Sequence, residues 1–119
     1  MSFNKEFDAM AQDIHNTAKE KGWWEKEFEH GTKIALMHSE LSEALEGLRA
    51  PDVHPHTMAG LGGASDKIPG FLAIEEELAD TVIRIMDFGA RHGLELSAAI
   101  ETKAKFNKGR SRKHGGKQF

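Results

Sequence analysis

Residues 34–48 read IALMHSELSEALEGL and residues 71–87 read FLAIEEELADTVIRIMD. In the first stretch Ile34, Met37, Leu41, Ala44, Leu45 and Leu48 recur at three- and four-residue steps; in the second, Phe71, Ile74, Leu78, Val82 and Ile85 do the same. That spacing lines one face of a helix and fits no strand, whose faces alternate every second residue. Each helix also carries two acids three residues apart, Glu40 with Glu43 and Glu77 with Asp80, so each pair sits on neighbouring turns of one face. The predicted fold class is all-α. The stripes Met37, Leu41, Leu48 and Ile74, Leu78, Ile85 are expected to pack as an antiparallel pair, with the four carboxylates facing one another at the edge of the core.

Working outward, Phe7, Met10, Ala11, Ile14 and Ala18 predict a first helix from about Asn4 to Lys21, stopping near Gly22, with Trp23 and Trp24 directly after it. The helix bearing Glu40 ends before Pro51, because the residue ahead of a proline is pushed out of the helical region. Residues 51–70 hold all three prolines, four glycines, His54 and His56 without apolar periodicity, and read as a long loop. The third helix reaches Arg91, with Gly93 placed as a C-terminal cap, and a fourth runs from Leu96 to Lys108 on Leu96, Ala99, Ile100 and Ala104. The plan is a single domain over residues 1–119: a four-helix bundle with a basic tail, residues 109–119. Besides Leu78, Val82 and Ile85, the third helix has Ala79, Ile83 and Met86 on a different side. A helix apolar on two sides is buried on two sides, and a chain this short hides only about two thirds of its unfolded surface by itself. Completion of the bundle by homo-oligomerisation, as a homodimer or homotetramer, is the expectation.

Composition narrows the function. No apolar run approaches the roughly 20 residues that span a bilayer, and Met1–Glu6 lacks the features of a signal peptide, so a cytoplasmic protein without a membrane partner is expected. The absence of cysteine removes disulfides and thiolate metal sites. The net charge of −3 hides an asymmetry: residues 1–102 carry 9 Lys and Arg against 19 Asp and Glu, a balance of −10, while residues 103–119 carry seven basic residues and no acid. An acidic body recruits divalent cations and a basic tail neutralises phosphates, which together suggest a phosphorylated ligand bridged by metal, either a small molecule or a nucleic acid.

Four carboxylates held close together repel one another unless a cation compensates, and hard oxygen ligands favour Mg²⁺, with Mn²⁺ as a substitute, over zinc. A lone E-x-x-E pair is commonly a solvated helix face; two pairs beside apolar stripes weaken that account. Glu76 and Asp87 lie near enough to the metal face to support it indirectly. A di-iron bundle would need two Glu-x-x-His elements, and only Glu27 with His30 has that spacing. A non-enzymatic nucleic-acid-binding or assembly module using Arg110, Arg112 and Lys113 accounts for the tail but leaves the paired acids unexplained. His54 and His56, without further ligands, are weak metal candidates.

The stretch Ala35–Glu46 and the later Glu75-Glu76-Glu77-Leu78-Ala79-Asp80 resemble the E-x-x-E and E-x-x-D metal motifs of the MazG-like, all-α nucleoside triphosphate pyrophosphatases. Lys103, Asn107 and Arg110, followed by His114-Gly115-Gly116-Lys117, resemble the K, N, R and H-G-K elements behind the last helix in one branch of that family. Two features depart from the pattern: Ser39 stands where the first acid of E-E-x-x-E is usual, and loop 51–70 lengthens the separation of Glu43 from Glu77. The resemblance implies Mg²⁺-dependent cleavage of a nucleoside triphosphate between its α- and β-phosphates, giving a monophosphate and pyrophosphate, as in house-cleaning of a nucleotide pool. It makes Glu40, Glu43, Glu77 and Asp80 the metal-binding and catalytic acids, with no cofactor beyond the metal. Trp23 or Trp24 is placed to stack on the base, one lining a pocket and the other in the core. Lys33, Lys103, Asn107, Arg110 and Lys117 are the candidates for phosphate contact, the triphosphate and a second copy of the chain the expected partners, and nucleic acid the disfavoured one.

Overall fold

A computed structural model describes residues 2–26, 29–49 and 60–110. The expectations placed on Lys117 and the rest of the tail beyond residue 110, on His54 and His56, and on Glu27 lie outside the described residues.

Four helices make up the described chain: α1 (Phe3–Glu20), α2 (His30–Arg49), α3 (Ala73–Arg91) and α4 (Leu96–Lys108). There is no strand among the described residues, only an isolated bridge between Ala64 and Leu72. Local chemistry sets the boundaries. Ser2 caps α1 by accepting from the Lys5 N–H at 3.3 Å. Gly22 (φ 84°) and Gly93 (φ 63°) end α1 and α3 in the left-handed region. In both, the amide after the glycine reaches back to the carbonyl five residues earlier, Trp23 to Ala18 at 3.0 Å and Leu94 to Gly89 at 2.9 Å. The first of these closures turns the chain at the point where Trp23 and Trp24 follow. The helix expected from Phe71 starts at Ala73, because Leu72 takes the cap position and donates its N–H to Glu75 Oε1 at 2.8 Å.

α3 is the central element. It packs against α2 on one side and α1 on another, while Leu78, Val82 and Ile85, one of the two apolar stripes expected to be buried, stay exposed. Lys33 and Leu36 lie with Asp87 and Phe88, Glu40 meets Arg84, and Glu43 lies with Glu77, so α2 and α3 run antiparallel. The seam between them matches the expected stripes only in part: Met37, Leu48 and Ile74 join it, and Leu41, Leu78 and Ile85 do not. α2 turns Leu36, Met37, Glu40, Ala44 and Leu48 toward α3, whereas Leu41 and Leu45 point outward together with Leu78, Val82 and Ile85 of α3. The apolar arc of α2 is wider than one contact, and the small Ala44 allows closer approach with Glu40 turned inward. The resulting core is thin. Its buried apolar members are Ala11, Ala18, Ala44 and Met86, and no large side chain is fully buried among the described residues. Leu45 is 53% and Val82 49% exposed.

Among the described residues, α4 is held at its first turn. Ser97 Oγ donates to Asp8 Oδ1 of α1 at 2.8 Å, and Leu96 lies so close to Gly89 of α3 that a Cβ there would sit 2.5 Å from Leu96 Cδ1. From residue 98 through 110 every position is exposed, including Ala99, Ile100 and Ala104, which the periodicity had marked as packing residues.

Candidate metal centre and adjoining pocket

The α2·α3 seam gathers the acids. One carboxylate oxygen from each of Glu40, Glu43 and Glu77 lies within 4.8 Å of the others, and Glu76, Glu77 and Asp80 form a second group by the same measure. Glu77 belongs to both, so the four predicted acids join one cluster, with Glu76 as a fifth member. Antiparallel packing explains this: two acid pairs one turn apart, on helices of opposite direction, meet across a single contact level.

The electrostatics are those of a site short of positive charge. Burial, followed by the neighbouring Glu43 and then Glu40, raises the Glu77 carboxyl to about 7. Burial also raises Asp80, with Glu40 and Glu76 adding to it and Lys67 and Arg84 opposing. Glu77 Oε2 is buried and receives no hydrogen bond. A buried carboxylate oxygen without a donor is costly unless something else coordinates it, and all the surrounding donor atoms are hard oxygens. The residues present could therefore hold a hard divalent cation, either among Glu40, Glu43 and Glu77 or among Glu76, Glu77 and Asp80.

Arg84, which the motifs did not single out, stands beside this cluster. Its Nε donates to Glu40 Oε1 at 2.8 Å, and its guanidinium lies 5.8 Å from the centre of the Trp23 ring. Glu76 is held from the other direction: Ser65 Oγ donates to its Oε1 at 2.6 Å while accepting the amides of Lys67 and Ile68, each at 3.1 Å. The end of the long loop is thereby tied to the first turn of α3, with Lys67 Nζ 3.7 Å from Glu76 Oε2.

Next to the acids lies a cavity of about 220 Å³ lined by Trp23, Trp24, Lys33, Leu36, Met37, Arg84, Asp87 and Phe88. A smaller one, lined by Trp23, Glu40, Asp80, Ile83 and Arg84, adjoins the acid cluster. Both tryptophans thus border open space, but differently. Trp23 is 51% exposed, whereas half-buried Trp24 donates its Nε1–H to Asp87, 3.0 Å from each carboxylate oxygen. Asp87 is buried and also lies 2.7 Å from Nδ1 of buried His15, a bond spanning 72 residues that joins α1 to α3. Asp87 therefore serves the tryptophan rather than the acids. Lys33 places its Nζ 4.0 Å from the centre of the Trp24 ring, and Arg91 its Cζ 5.0 Å from it. Lys33 also donates to the Trp23 carbonyl at 3.3 Å, and burial lowers its pKa, with Arg84 and Arg91 adding to the effect and Asp87 opposing it.

Lys103, Asn107 and Arg110 are placed elsewhere. Lys103 and Asn107 lie on the exposed part of α4 and Arg110 just beyond its end; none lines either of these cavities, and Lys103 and Arg110 instead rest against Phe106 at 4.6 and 5.6 Å from its ring centre. Two functional neighbours escaped the sequence reading. Arg84 follows Asp80 by four residues, so the helical pairing rule was a usable signal for it. His15 sits between Ala11 and Ala18 on the buried face of α1, a polar residue in an apolar stripe. Compared with known proteins, the chain matches no family model, no curated protein and no solved structure.

Proposed function

We propose that this chain is a Mg²⁺-dependent nucleoside triphosphate pyrophosphohydrolase of the MazG-like kind, working as a homo-oligomer in nucleotide-pool house-cleaning. The observation that carries the reading is that Glu77, whose buried Oε2 has no donor, is shared by two acid groups, one with Glu40 and Glu43 and the other with Glu76 and Asp80. When bound, Mg²⁺ supplies charge neutralisation to phosphate oxygens and acidifies a coordinated water.

The chain's own residues do the rest. The four acids fix the position of the triphosphate relative to α2 and α3, and one of them accepts the proton of the water that attacks the α-phosphorus as the bond to the β-phosphate oxygen breaks. Glu77, with its carboxyl raised to about 7, is partly protonated near neutrality until a cation restores its charge. Arg84 neutralises Glu40 and stands beside the cavity, close enough for its remaining donors to meet a phosphate. The Trp24 plane, fixed by Asp87, offers a face for a flat base, and Lys33 brings positive charge to the same cavity. The exposed face of Leu41, Leu45, Leu78, Val82 and Ile85 supports self-association.

The test is pyrophosphate release from a panel of canonical and modified nucleoside triphosphates with Mg²⁺, comparing the wild type with Glu43→Gln and Asp80→Asn. Release by the wild type and its loss in both folded variants is the expected result. Failure to hydrolyse any triphosphate with Mg²⁺ or Mn²⁺ would overturn the reading.

A further inference from the structure

Resting on the hydrolase reading, we propose that Lys67 receives the β- and γ-phosphates, the part of the triphosphate that leaves as pyrophosphate. The substrate then lies along α3 with its base at the Arg84 end and its phosphate end at Glu76. Three observations carry this orientation.

First, the acid cluster is bracketed by two cations. Arg84 Nε donates to Glu40 Oε1 at 2.8 Å, Lys67 Nζ lies 3.7 Å from Glu76 Oε2, and both cations act on Asp80 between them. Glu76, Asp80 and Arg84 follow one another at four-residue steps, so the bracket runs along one face of α3 for about 12 Å. Second, the aromatic surface belongs to one end of the bracket. Arg84 lines both the cavity of Trp24 and Lys33 and the smaller one that meets Glu40 and Asp80, which puts the face for a base on its side. Third, the turn that carries Lys67 is fixed while its side chain is loosely committed. Ser65 Oγ accepts the amides of Lys67 and Ile68, each at 3.1 Å, and the Ser65 N–H donates to the Phe71 carbonyl at 2.8 Å. The Ala73 N–H donates to the Gly63 carbonyl at 2.9 Å, so the turn is anchored at the start of α3. The Lys67 side chain itself is 80% exposed.

An exposed ion pair of that length is weakly held, and a phosphate end offers Lys67 more charge than Glu76 does. Glu76 keeps its 2.6 Å bond from Ser65 in the exchange, leaving its other oxygen for the acid group it forms with Glu77 and Asp80. The oxygen of the attacking water joins the α-phosphorus and its proton passes to an acid. The bond to the bridging oxygen breaks, its electron pair goes to the departing pyrophosphate, and the Lys67 ammonium meets the charge that develops there. The turn belongs to the loop that lengthens the separation of Glu43 from Glu77, so this residue is a feature of this chain that the metal motifs do not imply.

Two measurements test it, the first without reference to turnover. Inorganic pyrophosphate is titrated by calorimetry, with Mg²⁺ present, into wild type, Lys67→Ala and Lys67→Arg. Lys67→Ala should weaken pyrophosphate binding about tenfold and Lys67→Arg should restore most of it, with thermal melting unmoved because the side chain is exposed. A lysine that only pairs with Glu76 would leave pyrophosphate affinity unchanged in Lys67→Ala. That result, or a wild type that binds no pyrophosphate, would overturn the proposal. So would a loss in Lys33→Ala with none in Lys67→Ala, which places the phosphate end at the opposite side. In the second, kcat and KM are measured on the preferred triphosphate. Lys67→Ala should lower kcat/KM about tenfold or more, with part of the loss in kcat, because the leaving-group charge is met only in the transition state. With an active wild type, an unchanged kcat/KM in Lys67→Ala would sink the role of Lys67 and leave the hydrolase reading standing. An inactive wild type that binds pyrophosphate through Lys67 would sink the hydrolase reading and keep the lysine at the phosphate end.

Discussion

The α2·α3 seam and α4 use similar residue types in opposite ways. In the seam, charged groups are turned inward: Glu40 is buried, Glu77 has an oxygen without a donor, and Leu41, Leu45 and Leu78 are exposed. In α4, Ile100 and Phe106 are exposed beside three lysines, Lys103, Lys105 and Lys108. The first region contains charge that burial makes costly, and the second contains apolar surface that nothing covers. Under the proposed function each irregularity calls for a component that a lone chain does not supply, a cation in one case and a second copy in the other. Deviations from ordinary patterning are thus more informative about function than the regular parts of the helices.

The comparison can be broken most sharply at the acids. Glu43→Gln should lower kcat by about 10²- to 10³-fold, as loss of a group that acts on transition-state charge does, while the melting temperature holds or rises because a repulsive charge is gone. Steady-state kinetics beside thermal melting would show it; a parallel loss of fold and activity would reduce Glu43 to a structural residue. Next comes the support behind the pocket. Asp87→Ala strands both His15 and the Trp24 indole and should cost roughly 2–4 kcal/mol in urea unfolding. A loss below the ordinary surface range would contradict the joining role given to this aspartate.

On the α4 side effects should be milder and fall on binding. Lys103→Ala should raise KM about tenfold, one cation's share of phosphate attraction, with kcat and thermal stability nearly unchanged since the side chain is exposed. A fall in kcat with constant KM would place it in the chemistry instead. The smallest effect concerns pH. The folded-state pKa of Glu77 is raised to about 7 from 4.5, so the folded chain holds the extra proton in that window. In chelator, stability should therefore fall as pH rises from about 4.5 to 7 and level off above. Glu77→Gln or added Mg²⁺ should flatten the slope, and a slope that persists in Glu77→Gln would assign it to other groups, Asp80 first.

Much of the fold was legible in the sequence because the local signals agreed. Helix periodicity, Gly22, Gly93 and Pro51 marked the elements, and their boundaries shifted by little, as with Leu72 taking the cap ahead of α3. The acid cluster was legible for the same reason, since three-residue spacing survives any rotation of the helix. What the sequence left open was which side of each helix would face which neighbour. Leu41 and Leu78 belong to perfectly regular stripes yet lie outside the seam, because a helix with a wide apolar arc has more than one acceptable rotation. The partners of Asp87 were out of reach for another reason: His15 and Trp24 stand 72 and 63 positions away, and no local pattern encodes so distant a bond.

That distance bears on how the chain is made. α1 finds its main packing surface on α3 rather than on α2, its neighbour in the chain. During synthesis, which proceeds from the N-terminus, the first helix must wait until some seventy further residues have emerged before its buried face, with His15 at its centre, has anywhere to settle. Closing so large a loop is slow relative to local helix formation, so the early chain passes through a stage in which Ala11, His15 and Ala18 are open to solvent and to other chains.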